Sequence, residues 1–158
     1  MGPNEEEQRF LEELGLFMER AGLPRMAGRI LGWLHICDPP EQSSADLAAA
    51  LHASKGSIST VTRMLLAWGM IERAVLPGSR QTYFRVTPGT WSRVLHGEMA
   101  YLTALRELGE RGVALLAGAP PERRRRVEEM RDFYQFFEKE FPELIRRWDE
   151  RQAGRSDG

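Results

Sequence analysis

Two short helical segments lie almost end to end near the middle of this chain, and no other feature constrains its fold as strongly. The first reads Ser43-Ser44-Ala45-Asp46 followed by Leu47-Ala48-Ala49-Ala50-Leu51, where serine and aspartate cap an apolar run. The second runs from Lys55 to Gly69. Ser54 is placed to accept a free backbone N–H at its start, and Gly69 to end it in a left-handed turn. Only His52 and Ala53 separate the two. That spacing predicts a helix-turn-helix.

At about 100° per residue, Ile58, Val61, Thr62, Leu65, Leu66 and Trp68 fall on one side of the second helix. Gly56, Ser59, Thr60, Arg63 and Ala67 fall on the other, which is therefore small, polar and basic. No carboxylate occurs between Asp46 and Glu72, whereas a solvent-facing helix usually carries several. Such a face suits entry into a DNA groove. Small residues let the backbone approach, hydroxyls reach base edges or phosphates, and the Arg63 guanidinium has the fork that reads guanine. Short amphipathic helices of this composition are common, so the neighbouring segments decide. Met70 to Val75 and Gln81 to Val86 are rich in β-branched and aromatic residues and are joined by Leu76-Pro77-Gly78-Ser79-Arg80. They predict a hairpin, or wing, with Ser79 and Arg80 near its tip. The partner is then double-stranded DNA, contacted by Ser54, Lys55, Gly56, Ser57, Ser59, Thr60, Arg63, Ser79 and Arg80. Arg25, Arg29, Ser43 and Ser44 are candidate phosphate contacts.

A net charge of −1 does not suggest a nucleic-acid binder until it is divided along the chain. Residues 1–23 carry two arginines against six glutamates, while residues 24–93 carry eight basic side chains against four acidic ones. The basic middle localises the field to one region.

The run LAAALHASKGSISTVTRMLLAWGMIERAVLPGSRQTYFRVTP resembles the winged helix-turn-helix of MarR-type bacterial transcription regulators. LPRMAGRILGWLHICDPPEQSSADLA ahead of it is similar to the GbsR-like branch. The most specific parts are Ser-Lys-Gly-Ser-x-Ser at Ser54 to Ser59 and Pro-Gly-Ser-Arg at Pro77 to Arg80. The resemblance implies a transcription regulator, with repression by occlusion of polymerase, that dimerises through its terminal helices and can respond to a small-molecule effector.

The remaining segments fit that outline. Glu5 to Ala21 places Phe10, Leu11, Leu14, Phe17, Met18 and Ala21 at helical spacing, with Leu16 as apolar surface outside the stripe. Pro24 opens a helix running to about Ile36, with Met26, Ile30, Trp33 and Leu34 inward and Gly28 and Gly32 admitting a close neighbour. Cys37 to Gln42 reads as a loop. From Thr90 a long helical tract precedes Gly118-Ala119-Pro120-Pro121, and Gly109 and Gly112 either loosen it or permit close crossing. Val127, Met130, Tyr134, Phe137, Phe141, Leu144 and Trp148 then repeat at alternating spacings of 3 and 4, a heptad seam that Pro142 should kink or interrupt. The basic run Arg123 to Arg126 lies among glutamates and reads as a solvated helix start. The terminal helices carry more apolar surface than one winged unit needs, which predicts a homodimer.

The expected fold is mainly α with a small β-hairpin: a winged helix-turn-helix flanked by N- and C-terminal dimerisation helices. Residues 1–23 form the N-terminal dimerisation helix, 24–93 the DNA-binding domain, 94–152 the C-terminal helical dimerisation region and 153–158 a disordered tail. GbsR-like regulators include choline-responsive members, and aromatic cages hold quaternary ammonium groups. Trp33, Trp91, Phe133, Tyr134 and Phe137 are therefore candidates for an effector pocket, although rings at helical spacing more often form core. With 42% hydrophobic and 28% charged residues the composition is globular. The absence of a long apolar run and of a signal-peptide pattern predicts a soluble, cytoplasmic protein away from membranes. One cysteine and three scattered histidines predict no metal and no cofactor, and no acid–base pair or nucleophile at useful spacing suggests an enzyme. Cys37, without a basic neighbour, reads as an inert thiol. The alternative function is a winged-helix protein–protein interaction module without sequence-specific DNA binding.

Overall fold

The computed structural model describes residues 2–156 and divides into two compact units, Met1–Thr90 and Trp91–Gly158.

In the first unit, α1 (Glu5–Arg20) begins at Asn4 with a reciprocal cap: the Glu7 N–H donates to the Asn4 side chain, and the Asn4 N–H donates to the Glu7 carboxylate. The central element is α2 (Arg25–Ile36), which buries Ala27, Ile30, Leu31, Trp33 and Leu34. Each fully buried Leu or Ile contributes about 1.5–3 kcal/mol relative to an exposed one. Gly28 lies against the backbone of Leu14 and Gly15, and Gly32 against Leu11, so α1 is the close neighbour that these glycines admit. A Cβ at position 28 would collide with the Leu14 carbonyl.

This backbone-to-backbone approach also corrects the expected α1 stripe. Leu11, Gly15 and Met18 face inward and Phe10, though 41% exposed, reaches Gly32 of α2 with its ring, while Phe17 (63% exposed) joins Leu16 and Ala21 on the outer surface. The crossing turns Gly15 into the hairpin, and Phe17 turns out.

Beyond α2, the Trp33 indole N–H donates to the Gln42 side-chain oxygen at 3.1 Å, and the Gln42 amide donates to the Pro39 carbonyl at 2.8 Å. Those bonds hold β1 (Gln42–Ser43) in place as an edge strand of a three-stranded antiparallel sheet of order β1-β3-β2. The sequence predicts loop through Gln42; two residues are too few to show a period, and pairing with a distant strand makes them β. Strands β2 (Ile71–Ala74) and β3 (Tyr83–Val86) form the expected hairpin, with Glu72 opposite Arg85 and Arg73 opposite Phe84. Helix α3 (Ser44–Ala50) is capped by Ser43 and Asp46 as expected. Helix α4 (Lys55–Ala67) packs on α2, α3 and β2 through buried Ile58, Val61, Thr62 and Leu65.

The second unit is an antiparallel helical hairpin of α5 (Thr90–Leu115) and α6 (Pro121–Ser156). Ser92 donates to Asp149 at 2.7 Å and Thr103 donates to Glu138 at 2.6 Å. Farther along, Gly109 meets Arg131 and Gly112 meets Val127. The partners move in opposite directions along the chain, and the two glycines permit close crossing rather than loosening the helix. Pro142 is exposed and α6 continues through it, contrary to an interruption. A proline deletes one backbone bond, while the apolar seam continues past it to buried Ile145. Helix likewise persists through Ser156, so the tail expected to be disordered from Ala153 is ordered to that point; residues 157 and 158 lie outside the described residues. No helix among the described residues is long and apolar enough to cross a membrane.

Candidate nucleic-acid interface

The first turn of α4 is capped by a serine and carries no acidic side chain. The Ser57 N–H donates to Ser54 Oγ at 3.2 Å, and no acidic residue occupies that turn to neutralise the partial positive charge of the helix start. Ser54, Lys55, Gly56, Ser59, Thr60 and Arg63 are exposed; Ser57 is half-buried. A Cβ at Gly56 would meet nothing nearer than Ser54 Oγ at 3.9 Å, so packing does not demand glycine there. Thr62, by contrast, is turned inward, its hydroxyl donating to the Ile58 carbonyl at 2.8 Å.

Arg63 Nε donates to the Ser59 carbonyl at 3.2 Å, which lays the guanidinium along the exposed side of its own helix. Trp68, expected on the inward side, is 44% exposed. The helix ends at Ala67, Trp68 is its C-cap, and Gly69 at φ 68° redirects the chain, so helical spacing no longer applies.

The wing tip is a tight turn at Gly78 (φ 79°), closed by the Ser79 N–H donating to the Leu76 carbonyl at 3.1 Å. Ser79 Oγ accepts from the Gln81 N–H at 3.1 Å and shares a hydrogen bond with the Tyr83 hydroxyl at 3.2 Å. Its hydroxyl shapes the tip, whereas Arg80 beside it is exposed.

From Arg25 onward, ion pairing divides the basic residues of this unit into two groups. Arg85 pairs with Glu72 at 2.7 Å and Glu41 at 3.5 Å, and the hydrogen bond it donates to the Glu72 carboxylate raises its pKa. Arg25 and Arg29 both pair with Glu12. Among the described residues, no ion pair engages Lys55, Arg63, Arg73 or Arg80. From Arg25 onward the uncompensated cations of this unit therefore lie on α4 and the wing; Arg9 and Arg20, also outside any ion pair among the described residues, sit on the glutamate-rich α1. Arg73, exposed on β2, enters the sequence reading only as charge; its place in an alternating strand beside the paired Glu72 is the signal that could have found it.

The candidate phosphate contacts separate similarly. Ser43 is buried with its hydroxyl bonded to Asp46, while Ser44 is exposed on the first turn of α3. Arg25 and Arg29 are occupied by Glu12. Cys37 is partly covered, and burial, reinforced by the neighbouring Asp38 and Glu41 charges, pushes its thiol up to about 11. Among the described residues no cluster of His, Cys, Asp and Glu could hold a metal ion.

The candidate effector rings fall in different units. Trp33 is a buried, hydrogen-bonded member of the first. In the second, Phe133 makes an edge contact with Tyr134 at 5.3 Å and a tilted one with Phe137 at 4.7 Å between ring centres, and Trp91 is 45% exposed. An open apolar cavity of about 230 Å³ in that unit is lined by Ser92, Leu95, Phe141, Leu144, Ile145 and Trp148, none of them among the five rings singled out from the sequence.

Comparison with known proteins agrees with this architecture. Residues 21–81 match the MarR family, and residues 89–151 match MmpR5-like MarR family transcriptional regulators. The chain is 41% identical over 151 residues to the HTH-type transcriptional regulator MmpR5 of Mycobacterium tuberculosis, covering 96% of this chain and 92% of that one. The crystal structure of a transcriptional regulator aligns with a TM-score of 0.71 at 41% identity, over 92% of this chain and 99% of the other. The matched branch is MmpR5-like, where the sequence resemblance pointed to a GbsR-like one.

Proposed function

This chain belongs to the MarR family of DNA-binding transcriptional regulators, a family of regulators and not of enzymes, and from that premise we propose that it works as a homodimer on an inverted-repeat operator. The observation that carries this reading is the grouping of unpaired Lys55, Arg63, Arg73 and Arg80 with the carboxylate-free outer side of α4. In it, α4 enters the major groove. Ser57, Ser59, Thr60 and Arg63 meet base edges or adjacent phosphates, and Lys55, Ser54 and Gly56 set the register. Arg80 lies in or beside the minor groove, supported by Ser79.

Exposed apolar side chains on the terminal helices support dimerisation: Phe10, Leu16 and Phe17 on α1, and Leu108, Leu115, Phe133 and Phe136 on α5 and α6. A two-fold dimer sets its recognition helices about 34 Å apart, one turn of DNA. Occupancy then represses transcription by excluding polymerase in the cytoplasm. A small-molecule effector that favours a different helix spacing releases the operator, and the aromatic surface of Phe133, Tyr134 and Phe137 is the candidate for holding it.

Light scattering of the protein alone and on a selected duplex tests the assembly. Two chains per duplex and a dimeric free protein are expected. A monomer that binds any duplex equally would favour a protein-interaction module with an incidental basic surface. Absence of binding heat with choline or betaine would remove a quaternary ammonium as the effector.

A further inference from the structure

A chain of polar contacts joins α1 to the turn ahead of the recognition helix. Arg29 projects from α2 with its side chain only 23% exposed. Its Nη2 donates to the carbonyl of Leu51 at 2.9 Å, and its Nε stands 2.9 Å from the Glu12 carboxylate of α1 as an ion pair. Leu51 is the C-cap of α3, and His52 after it adopts a left-handed conformation at φ 48°.

Within the turn, the Ala53 N–H donates to the Ala48 carbonyl at 3.0 Å and the His52 N–H to the Ala49 carbonyl at 3.4 Å. The Leu51 carbonyl lies beyond these bonds, among the acceptors that a helix leaves unsatisfied at its end. Arg29 supplies its partner through a charge-assisted bond. Three residues later Ser54 caps α4, so the direction of this peptide bears directly on where the recognition helix points.

We propose that Arg29, held at its other edge by Glu12, is a positioning residue that pins the helix-turn-helix turn to α1 and so sets the angle at which α4 meets DNA. The proposal rests on the DNA-binding reading of α4. It also reassigns Arg29, which from sequence alone is a candidate phosphate contact; a guanidinium that touches phosphate and one that aims a helix respond differently to mutation.

Arg29→Met should weaken binding to the duplex preferred by the wild type by about tenfold, as expected for loss of a hydrogen bond to a charged group. The slope of log affinity against log salt should stay unchanged, whereas a lost phosphate contact would lower it by about 0.9. Glu12→Gln gives the sharper contrast. It removes a negative charge, which alone favours DNA, and frees Arg29 for phosphate; positioning instead requires it to bind several-fold more weakly than Glu13→Gln, an equal charge change elsewhere on α1.

Amide hydrogen exchange of the DNA-free protein supplies a second readout. His52, Ala53 and Ser57 should exchange faster in both the Arg29 and Glu12 variants, with β2 and β3 unchanged. Should Arg29→Met fail to fold, Glu12→Gln decides, because it alters an exposed carboxylate. Equal or tighter binding by Glu12→Gln than by Glu13→Gln, or unaltered exchange in the turn, overturns the assignment. A wild type with no preferred duplex overturns the DNA-binding reading instead, and the exchange result then decides whether Arg29 holds the turn.

Discussion

Arg63 and Cys37 show how surroundings give a side chain its role. Arg63 lies on an exposed face with no carboxylate partner among the described residues, so its guanidinium need not abandon an ion pair to meet a base. Replacing it with alanine should cost about 1–3 kcal/mol of binding and relax preference at one base position if the contact is bidentate to guanine. Selection of duplexes by the variant measures this; an unchanged preference at every position would remove Arg63 from base reading. Cys37 illustrates the reverse. With its thiol pushed up to about 11 by burial, almost none of it is thiolate at neutral pH. Alkylation should be slower than for a free cysteine at pH 7.5 and accelerate only in strongly alkaline solution, as mass spectrometry can follow. Rapid labelling at pH 7.5 would contradict an inert thiol.

Elements respond to forces that a local stretch of sequence does not contain. Capping chemistry is local, so Ser54, Ser43 with Asp46, and Gly69 could be placed from their neighbours. Strand β1 could not, because its two residues become β only by pairing with β3 some forty positions later. The orientation of α1 was misread for a related reason: Gly15 carries no apolar signal, yet its contact with Gly28 decides which face turns inward. At the candidate interface, exposed α4 residues were legible from helical spacing, while the occupation of Arg25 and Arg29 by Glu12 was not, since the pairs join separate helices.

The wing and the α5–α6 hairpin each yield a test at this scale. Arg80→Ala should weaken DNA binding across sequences and flatten the salt dependence by about 0.9 per lost phosphate contact; an unchanged slope would detach the wing from DNA. In the hairpin, the Thr103 hydroxyl, followed by Arg106, holds the Glu138 carboxyl below the usual carboxylate range. A carboxylate with a lowered folded-state pKa stabilises the fold above its unfolded value and loses that contribution as pH falls through the folded one. Thermal unfolding from pH 7 to 2 should therefore show a steeper acid loss in the wild type than in Glu138→Gln. Parallel profiles would mean that this contact contributes no pH dependence.

For the whole molecule, family membership and the distribution of charge lead to one account. Net charge is slightly negative, yet between Arg25 and Thr90 the cations without an ion pair among the described residues gather on α4 and the wing, and apolar residues remain exposed on the terminal helices. A monomer has little use for those apolar surfaces, whereas a two-fold dimer covers them and doubles the DNA contact. Selection of random duplexes by the purified protein, with the salt dependence of the winning sequence set beside a scrambled one, tests that account most directly. The account predicts an inverted repeat with half-sites about one helical turn apart and a clear advantage over scramble. Binding of equal strength to every duplex, with no repeat emerging, would contradict it.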